Sequence, residues 1–464
     1  MSAKQRAKPQ IMKSPAIRLS LLLCSAIAAF ATAVHASPRL MQGPMMGNIE
    51  PTSATIWARV AGEADFSVRY SANSDFSDAK VTPAVHASAE NDYCVEVTIE
   101  GLKSGSFYHY QALVDGQPLD ATRERDGYPF LTAPSDDLKA RFSIAFGAGA
   151  KTEMDGLQAI WLQVQNARPH AFFWLGDNES AENLAPAFQA EEYRKQRSVP
   201  FLQPLLRSIP QLATWDGAKA GADGKSLDVF RRYWANPAYG TEDNPGSYFK
   251  FSYGKVDFFF LDTYSYRQPG AHMLGDEQLA WLKSELAASK TAFKVLLSSS
   301  SWTDIKDNSA STWTAFPQER ANLFGFIKNS DIQGVVLVSG DNDQAEIKAI
   351  PMSDVGGYDL YELVSSPLAR DPEQSSDEQD PSIIPLHEPY SACMNFGMLT
   401  FDMTEADPSF SFEIINVFGE SIFPPLVVRA SELTNGTASW QTKVDDPEAY
   451  AFTPDEAAQS ATAN

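Results

Sequence analysis

The sequence predicts an α/β domain preceded by a small antiparallel β-sandwich. From about residue 43 to 133, short segments of alternating apolar and polar residues recur about every ten residues between turn signals, as in antiparallel sandwiches. After about residue 140, strand-length apolar runs alternate with amphipathic helical segments, which is typical of α/β folds. The chain has 464 residues, of which 44% are hydrophobic, so it has enough apolar material for two ordinary domains.

Residues 1–36 have the three parts of an export signal. The segment has five basic and no acidic side chains, an apolar run that begins at Leu19, and a small-x-small cleavage site at Val34-His35-Ala36. We expect cleavage after Ala36, a mature chain that starts at Ser37, and a periplasmic or secreted protein. A membrane anchor is the alternative, but the apolar run is shorter than the ~20 residues that a bilayer span needs.

The predicted sandwich occupies residues 38–134. Residues 101–110, a Gly-Leu-Lys-Ser-Gly turn followed by an aromatic strand, resemble the corresponding part of fibronectin type III-like modules. His86 and His109 lie in this module, where a histidine on a strand face needs no chemical role. The strand candidates are residues 54–60, 66–70, 93–99 and 107–114.

The predicted α/β domain spans residues 140–420. Four of its six strand candidates end in an aspartate: Asp177, Asp216, Asp262 and Asp341. A carboxylate at the carboxyl end of a buried strand lies at the sheet edge where α/β folds bind ligands. Several carboxylates together form an oxygen-ligand site for a hard metal ion.

Charge and cysteine content exclude several classes of protein. The formal net charge is −22, which excludes nucleic acid as a partner on electrostatic grounds. Three cysteines are too few for a zinc finger or a disulfide scaffold. The sequence leaves open whether Cys94 and Cys393 pair. Apolar runs beyond the export signal are of strand length, so we expect no stable membrane span in the mature chain.

Six sequence blocks occur in order between about residues 43 and 418. They are GPMMGNIEPTSATIWAR from residue 43, FWLGDN from 173, FRRYWANPAYG from 230, FFFLDTYSYR from 258, MLGDEQLAWL from 273 and VSGD from 338. These blocks resemble the PhoD-like alkaline phosphatases of the calcineurin-like metallophosphoesterase superfamily. The resemblance implies a fibronectin type III-like module followed by a two-sheet αββα sandwich. Residues 421–464 are then a C-terminal extension, which we expect to be partly disordered.

The resemblance also implies a chemistry. Members of this family are phosphoester hydrolases in which two close metal ions activate water and neutralise phosphoryl oxygens. The cofactors implied are divalent or ferric ions, calcium and iron; the alternative is that no metal is bound. The catalytic candidates are Asp177, Asn178, Asp216 and Asp341, and the metal candidates are Asp177, Asp216, Asn178 and Asp343.

The metal-site blocks depart from the family pattern in this chain. The family motif Asp-His-Asp is replaced by Gly217, Ala218 and Lys219, a second histidine by Asp343, a phosphate-binding arginine by Tyr264, and Gly-Ser-Cys by Gly147, Ala148 and Gly149. With both imidazoles absent, we expect the Lys219 ammonium to pair with Asp177 or Asp216 in place of a metal ion. The candidates for binding the substrate anion are Lys219, Lys151 and Arg267.

Two functions therefore remain open from the sequence. One is a pseudophosphatase that binds a phosphoester or another anionic small molecule without metal catalysis, and the loss of both imidazoles favours it. The other is an active alkaline phosphomonoesterase or phosphodiesterase whose metal centre is rebuilt from carboxylates and a loop histidine, His272 or His387. Isolated loop histidines are more often solvated than ligating. The acidic run 371–381, flanked by prolines, predicts a mobile loop.

Overall fold

The N-terminal part of the chain forms two antiparallel sheets. The computed structural model describes residues 39–119, 127–151, 156–178, 185–215, 225–305, 311–340, 343–372, 378–380 and 382–444. The N-terminal strands are β1 (Leu40–Ile49), β2 (Ser53–Val60), β3 (Ala64–Ser71), β4 (Lys80–Val81), β5 (Val85–Ala87), β6 (Cys94–Glu100), β7 (Phe107–Val114), β8 (Gln117–Pro118) and β9 (Tyr128–Leu131). One sheet has the order β1-β2-β6, and the other has the order β4-β3-β7-β8, with β5 also paired to β3 and β9 to β7.

The two N-terminal sheets share a hydrophobic core. Alternate side chains of β2 and β6 are buried, among them Ile56 and Val97. They belong to the same core cluster as Val68 of β3 and Ala112 of β7. The period-two burial of β2 and β6 is the arrangement that the sequence predicts for this region.

The rest of the described chain alternates strands and helices. Its strands are β10 (Arg141–Gly147), β11 (Ala171–Leu175), β12 (Gln211–Thr214), β13 (Phe249–Tyr253), β14 (Val256–Phe260), β15 (Phe293–Ser298), β16 (Asp304–Ile305), β17 (Val335–Ser339), β18 (Glu346–Ile350), β19 (Leu360–Val364), β20 (Glu378–Gln379), β21 (Ile384–Pro385), β22 (Asn395–Asp402), β23 (Ser409–Asn416) and β24 (Leu426–Arg429). Its helices are α1 (Ile160–Ala167), α2 (Pro186–Gln196), α3 (Gln203–Ser208), α4 (Lys225–Tyr233), α5 (Asp276–Ala288) and α6 (Pro317–Asn329).

These strands form two large sheets. The first has six strands in the order β12-β11-β10-β22-β23-β24, and the second has seven in the order β13-β14-β15-β17-β19-β18-β21. In the first sheet β10, β11 and β12 are parallel, and in the second β14, β15, β17 and β19 are parallel. β16 and β20 form a separate antiparallel pair. The predicted mixed α/β fold is confirmed.

Alternating side chains place the two large sheets face to face with helices outside. The ring of Phe173 on β11 lies 4.9 to 5.9 Å from three aromatic rings of β13 and β14. Its neighbour Phe172 points to the other face and contacts Trp161 of α1 at 5.2 Å. On the second sheet, Phe259 likewise faces outward and contacts Trp281 of α5. The layers are therefore helix, sheet, sheet and helix, because strand side chains alternate between faces.

The segment after β23 packs onto the α/β domain. Leu433 and Trp440 are buried in the main core. The Asp359 carboxylate, which precedes β19, accepts hydrogen bonds from the backbone N–H groups of Ser439 and Trp440 at 2.7 and 3.1 Å. Residues up to 444 are thus ordered against the domain, and residues 445–464 lie outside the described part of the chain. Within that part, none of the helices is both long and apolar enough to span a bilayer.

Candidate active site at the shared edge of the two large sheets

The carboxyl ends of the parallel strands from both large sheets meet at one edge of the domain. Gly340, which follows β17 of the second sheet, lies directly against the ends of β10 and β11 of the first. A Cβ added at Gly340 would be 2.5 Å from the Leu175 carbonyl oxygen and 2.6 Å from the Ala148 Cβ. Only a residue without a side chain allows this close approach. Loops from both sheets therefore contribute to one site, which we call the shared edge.

Asp177 lies at this shared edge, directly after β11. Its backbone has a left-handed conformation with φ of 48°, which aspartate tolerates better than most residues. The backbone N–H groups of Gly149 and Ala150 donate hydrogen bonds to the carbonyl oxygens of Gly176 and Asp177, at 3.4 and 3.2 Å. The loops after β10 and β11 are therefore joined, and the position of Asp177 is fixed.

One arginine pairs with two of the carboxylates that the sequence predicts as metal ligands. Nη1 of Arg370 lies 3.5 Å from Oδ2 of Asp177, and Nη2 of the same guanidinium forms an ion pair with Oδ1 of Asp343. The exposed fractions of the three side chains are 14% for Arg370, 15% for Asp177 and 28% for Asp343. Arg370 thus brings together a carboxylate from each large sheet and neutralises much of their charge.

The backbone around Arg370 is anchored to the loop after β10. Ala369 donates a hydrogen bond to the carbonyl oxygen of Gly149 at 2.9 Å, and Lys151 donates one to the carbonyl oxygen of Ala369 at 3.1 Å. Gly149 has φ of 75°, and a Cβ at that position would lie 3.0 Å from Nε of Arg370. The guanidinium is therefore placed by two paired backbone segments and by the small size of Gly149.

Asn178 is a ligand candidate with a buried polar atom. Its side chain is 3% exposed, and its Nδ2 donates a 2.7 Å hydrogen bond to the carbonyl oxygen of Thr214 at the end of β12. Its buried Oδ1 has no hydrogen-bond partner among the described residues. An oxygen lone pair in this state suits a metal ion or a donor group of a ligand.

In the described part of the shared edge, a metal ion would compete with an arginine for the carboxylates. The Oδ1 of Asn178 suits a cation, but the carboxylates of Asp177 and Asp343 already pair with one cation, the Arg370 guanidinium. Two metal ions at this site would stand beside the Arg370 guanidinium, and the like charges would repel. The described residues therefore form an arginine-centred cluster in which the protein itself supplies the cation.

Several predicted site residues lie outside the described residues. Asp216, Asp341 and Lys219 belong to this group, together with Gly217 and Ala218. The expected pairing of Lys219 with Asp177 or Asp216 therefore stays a prediction. The cation beside Asp177 in the described part of the chain is Arg370, which the sequence analysis did not single out.

The two remaining candidates for anion binding lie close to the strand ends. Arg267 donates hydrogen bonds from Nε to the carbonyl oxygen of Thr263 at 2.8 Å and from Nη2 to Oγ of Ser300 at 3.0 Å. Its guanidinium also stacks on the ring of Tyr264 at 4.8 Å. Tyr264, which stands in place of the family arginine, thus supports an arginine three residues later. Lys151 is half-buried. It follows Ala150, which forms a backbone bridge with Ala369, the residue before Arg370.

Asp262 has a structural role, although the sequence places it among the strand-closing carboxylates. It is fully buried, and it accepts hydrogen bonds from the backbone N–H groups of Ser247, Tyr264 and Ser265 at 2.8 to 3.0 Å. Oγ of Ser265 donates a further bond at 2.6 Å. These four donors satisfy the carboxylate, so Asp262 shapes the turn after β14 rather than offering oxygens to a ligand.

The histidine and cysteine candidates occupy other surroundings. The ring of His387 stacks in parallel on Phe423 with 4.5 Å between centres, and His272 lies in a turn closed by a backbone bridge to Gln268. Cys94 and Cys393 are both free thiols, which answers the open question of their pairing. Burial raises the pKa of Cys94 to about 12, so this thiol stays protonated at neutral pH.

A buried network of charged groups lies behind the shared edge. The fully buried Glu362 of β19 accepts hydrogen bonds from Oγ of Ser339 at 2.6 Å and from the backbone N–H of Trp302 at 2.7 Å. Next to it, Lys348 of β18 pairs with Asp304 and, at 2.6 Å, with Glu346. Burial raises the pKa of Glu346 to about 7, although the nearby Lys348 opposes the shift. This network supports Ser339, which precedes Gly340.

Sequence reasoning missed Arg370 and the network of Glu362 and Lys348. Arg370 follows β19 by six residues, after a Ser-Ser-Pro turn that ends an apolar strand, and this turn is the only signal in the sequence. Lys348 and Glu362 lie within strands, where a charge interrupts the apolar pattern and leaves no sign of its partner. Both features become visible only when distant segments come together.

Comparisons with known proteins agree with this architecture. The family described as "PhoD-like phosphatase, N-terminal domain" matches residues 25–125, and "PhoD-like phosphatase" matches residues 231–410. Alkaline phosphatase D of Bacillus subtilis (strain 168) is 23% identical over an alignment of 309 residues, and the match covers 54% of this chain. The matched region spans 53% of that protein, so the chain corresponds to about half the length of this relative.

Two solved structures share the fold. A structure of PhoD superimposes with a TM-score of 0.68 and 15% identity, over 92% of this chain and 98% of that one. The purple acid phosphatase PPD1 from yellow lupin seeds superimposes with a TM-score of 0.58 and 14% identity, over 85% and 74% of the two chains. At these identities the similarity shows the fold alone. The sheets and helices are arranged as in both phosphatases.

Proposed function

The chain belongs to the PhoD-like phosphatase family, and from this premise we propose that it is an exported family member that binds a phosphoester or another small anion at the shared edge and has little or no metal-dependent hydrolysis. Export is inferred from residues 1–36, which lie outside the described residues. A fibronectin type III-like character of the N-terminal sheets is part of the same proposal.

One observation carries this proposal: the ion pairs of Arg370 with Asp177 and Asp343. Metal-dependent hydrolysis requires cations that are held by free carboxylates and that lower the pKa of a bound water. A guanidinium that already occupies these carboxylates competes with such cations. It also lacks a vacant coordination position, so it cannot generate hydroxide from water.

The same cluster suits the binding of an anion. By offsetting half of the negative charge of Asp177 and Asp343, Arg370 reduces the repulsion that a phosphoester would meet at the shared edge. Arg267 and Lys151 add positive charge at the ends of neighbouring strands, and the buried Oδ1 of Asn178 can accept a hydrogen bond from a hydroxyl group of the ligand. We assign these three residues to ligand binding, with Lys219 as a further candidate.

Metal analysis combined with a hydrolysis assay tests the proposal. The purified chain is incubated with calcium, manganese or ferric ions and desalted, and its metal content is measured by mass spectrometry. Hydrolysis of p-nitrophenyl phosphate and bis(p-nitrophenyl) phosphate is then compared with that of Bacillus subtilis alkaline phosphatase D as the positive control. We expect substoichiometric metal and far slower hydrolysis of both esters.

The opposite result supports the alternative function. Two metal ions per chain, with hydrolysis that Asp177→Ala abolishes, would establish an active phosphomonoesterase or phosphodiesterase with rebuilt ligands. Asp262→Asn is not a useful control, because Asp262 holds a turn. Glu100→Gln, an exposed change on β6, is the matched control for both measurements.

A further inference from the structure

We propose that a cleft between the N-terminal sheets and the first large sheet binds a small carboxylate with an apolar body, such as a medium-chain alkyl or an aryl carboxylate. The cleft has a volume of about 440 Å³. Its walls come from β7 and β9 on one side, and from the segment before β11 and the end of α3 on the other. This volume lies in the range of small-molecule sites.

The cleft is separate from the shared edge. His170 lines the cleft and directly precedes β11, whereas Asp177 follows the same strand. The six residues between these positions correspond to roughly 20 Å of extended chain. A ligand in the cleft therefore occupies the amino end of the first sheet, and the proposed phosphoester occupies the carboxyl end.

Apolar side chains supply most of the walls. Phe107 of β7 is 69% exposed although it is a large ring, and it lines the cleft together with Phe130 and Leu131 of β9. Leu205 and Ile209 face them from the end of α3. Covering the Phe107 ring with an apolar ligand would remove a large area from water, which is the main favourable contribution to binding at such a site.

Two of the polar side chains that line the cleft, His170 and Arg168, favour a ligand that carries a hydrogen-bond acceptor. The backbone N–H of Ser143 donates to Nδ1 of His170 at 3.2 Å, so the neutral imidazole carries its proton on Nε2 and can donate. Burial lowers the pKa of His170, which keeps this neutral form at pH 7. Arg168, two residues earlier, is exposed at the rim and provides a positive charge.

The cleft is held open by contacts between its two walls. The hydroxyl of Tyr110 on β7 donates a 2.8 Å hydrogen bond to the carbonyl oxygen of Arg207 in α3. The guanidinium of Arg207 lies 5.2 Å from the ring of Tyr128 on β9. These contacts join the N-terminal sheets to α3 beside the cleft, so its walls are preformed and little ordering is needed on binding.

A monovalent carboxylate suits this combination better than a phosphate. A phosphate dianion needs many donors to replace its hydration, whereas the cleft offers one guanidinium, one imidazole N–H and the side chains of Gln165 and Ser208 among largely apolar walls. A carboxylate can pair with Arg168 at the rim and accept from His170, while its alkyl or aryl body lies against Phe107 and Leu131. The chain as a whole has a net charge of −22, so the preference of the cleft for an anion comes from Arg168 and His170.

Calorimetric titration of the full chain with sodium octanoate and with octanol tests the proposal. We expect one saturable site for octanoate and weaker binding of octanol. Arg168→Gln should lower octanoate affinity by about fivefold and leave octanol unchanged, because it removes one charge-assisted contact. Phe107→Ala should weaken both ligands about tenfold, because it removes the apolar wall.

The side chains of Arg168 and Phe107 are exposed, so these variants test binding rather than folding. The matched control is Lys139→Gln, which removes an exposed cation on the loop before β10. The site is supported if Arg168→Gln lowers the affinity for octanoate but not for octanol, while Lys139→Gln binds both ligands as the wild type does. The proposal is overturned if octanoate shows no saturable binding, or if its affinity is the same in the wild type, Arg168→Gln and Phe107→Ala.

Discussion

At the scale of single residues, our proposed function depends on the balance of charge at Arg370. A guanidinium spreads one positive charge over a planar fork that matches two carboxylates, whereas a metal ion concentrates a larger charge at one point and binds water. The ion pairs of Arg370 with Asp177 and Asp343 satisfy the carboxylates without creating an electrophile. Under our proposal, this one side chain accounts for the expected loss of metal chemistry.

Replacing Arg370 by alanine should convert this cluster into a cation site. The change leaves Asp177 and Asp343 without their shared partner, so the free energy of unfolding in metal-free buffer should fall by about 1–3 kcal/mol, since the acids are only partly exposed. Calcium should then raise the melting temperature of Arg370→Ala more than that of the wild type, because a cation binds only the folded carboxylates. Scanning fluorimetry with EDTA and with calcium chloride measures both effects.

Arg267→Ala is the control for that experiment. It removes an arginine near the same strand ends whose guanidinium donates to Thr263 and Ser300, so its response to calcium should match that of the wild type. An equal calcium response in the wild type and in Arg370→Ala would show that Arg370 does not occupy a potential cation position.

At the scale of secondary-structure elements, β18 and β19 bury charged side chains inside a sheet. Lys348 is 1% exposed and lies between Asp304 and Glu346, and Glu362 is fully buried. Removing one member of such a group costs more than the group contributes, because the remaining charges stay buried without a partner. The elements that carry Gly340 and Arg370 are therefore supported by a network that is sensitive to pH.

The stability of the protein should fall between about pH 5 and pH 8 partly because of Glu346. Burial raises the pKa of this carboxyl to about 7, whereas the unfolded chain releases the proton near its ordinary pKa of 4.5. The folded state thus binds more protons in this interval, and its stabilisation is lost as the pH rises through the folded pKa. Glu346→Gln should show a smaller loss of unfolding free energy between pH 5 and pH 8, measured by urea denaturation.

An exposed glutamate provides the comparison for Glu346. Glu100→Gln changes the same functional group on β6, and its pH profile should follow that of the wild type. If Glu346→Gln and the wild type lose the same unfolding free energy over this interval, the proton on Glu346 does not contribute to the pH dependence.

The elements also show which parts of the fold the sequence could predict. Strands such as β11 and β17 are continuous apolar runs, and the sequence analysis placed them and the edge at which they end. β18 and β19 were missed, because Lys348 and Glu362 interrupt their apolar pattern, and the sequence does not show the partners that stabilise these buried charges. Arg370 could not be predicted for a similar reason: its partners are separated from it by 27 or more positions along the chain.

At the scale of the whole molecule, a polar and aromatic clamp joins the N-terminal sheets to the α/β domain. Asp92 of the N-terminal part pairs with Arg59 at 3.0 Å and with Arg194 of α2 at 3.3 Å, and it accepts a hydrogen bond from Tyr233 of α4. Burial raises its pKa, but the bonds from Arg59 and Tyr233 lower it more, so the pKa lies below its ordinary value. Arg197, fully buried, lies within 4.3 to 5.7 Å of four aromatic rings beside it.

Asp92→Ala should loosen this clamp. It leaves two arginines without their carboxylate and a tyrosine hydroxyl without its acceptor, so we expect the free energy of unfolding to fall by about 2–4 kcal/mol. Calorimetry should show a lower or a split melting transition, because the two parts lose a shared interaction. Asp354→Ala, on an exposed turn, is the comparison, and an unchanged transition in Asp92→Ala would contradict the clamp.

The export prediction also concerns the whole chain. If residues 1–36 are a cleaved signal, N-terminal sequencing of the protein from an extracytoplasmic fraction should begin at Ser37. Ala36→Leu, which removes the small residue at the cleavage site, should retain the uncleaved form. A full-length protein in the membrane fraction of the wild type would instead support an anchor.

Gly340 makes the geometry of the shared edge intolerant of added volume. Gly340 lies so close to Leu175 and Ala148 that no space is left there for a side chain. A methyl group at this position would act as a wedge between the sheets and would move Asp177 away from Asp343. The guanidinium of Arg370 has a fixed width and cannot follow both acids. Arg370 can therefore contact both acids only because position 340 has no side chain.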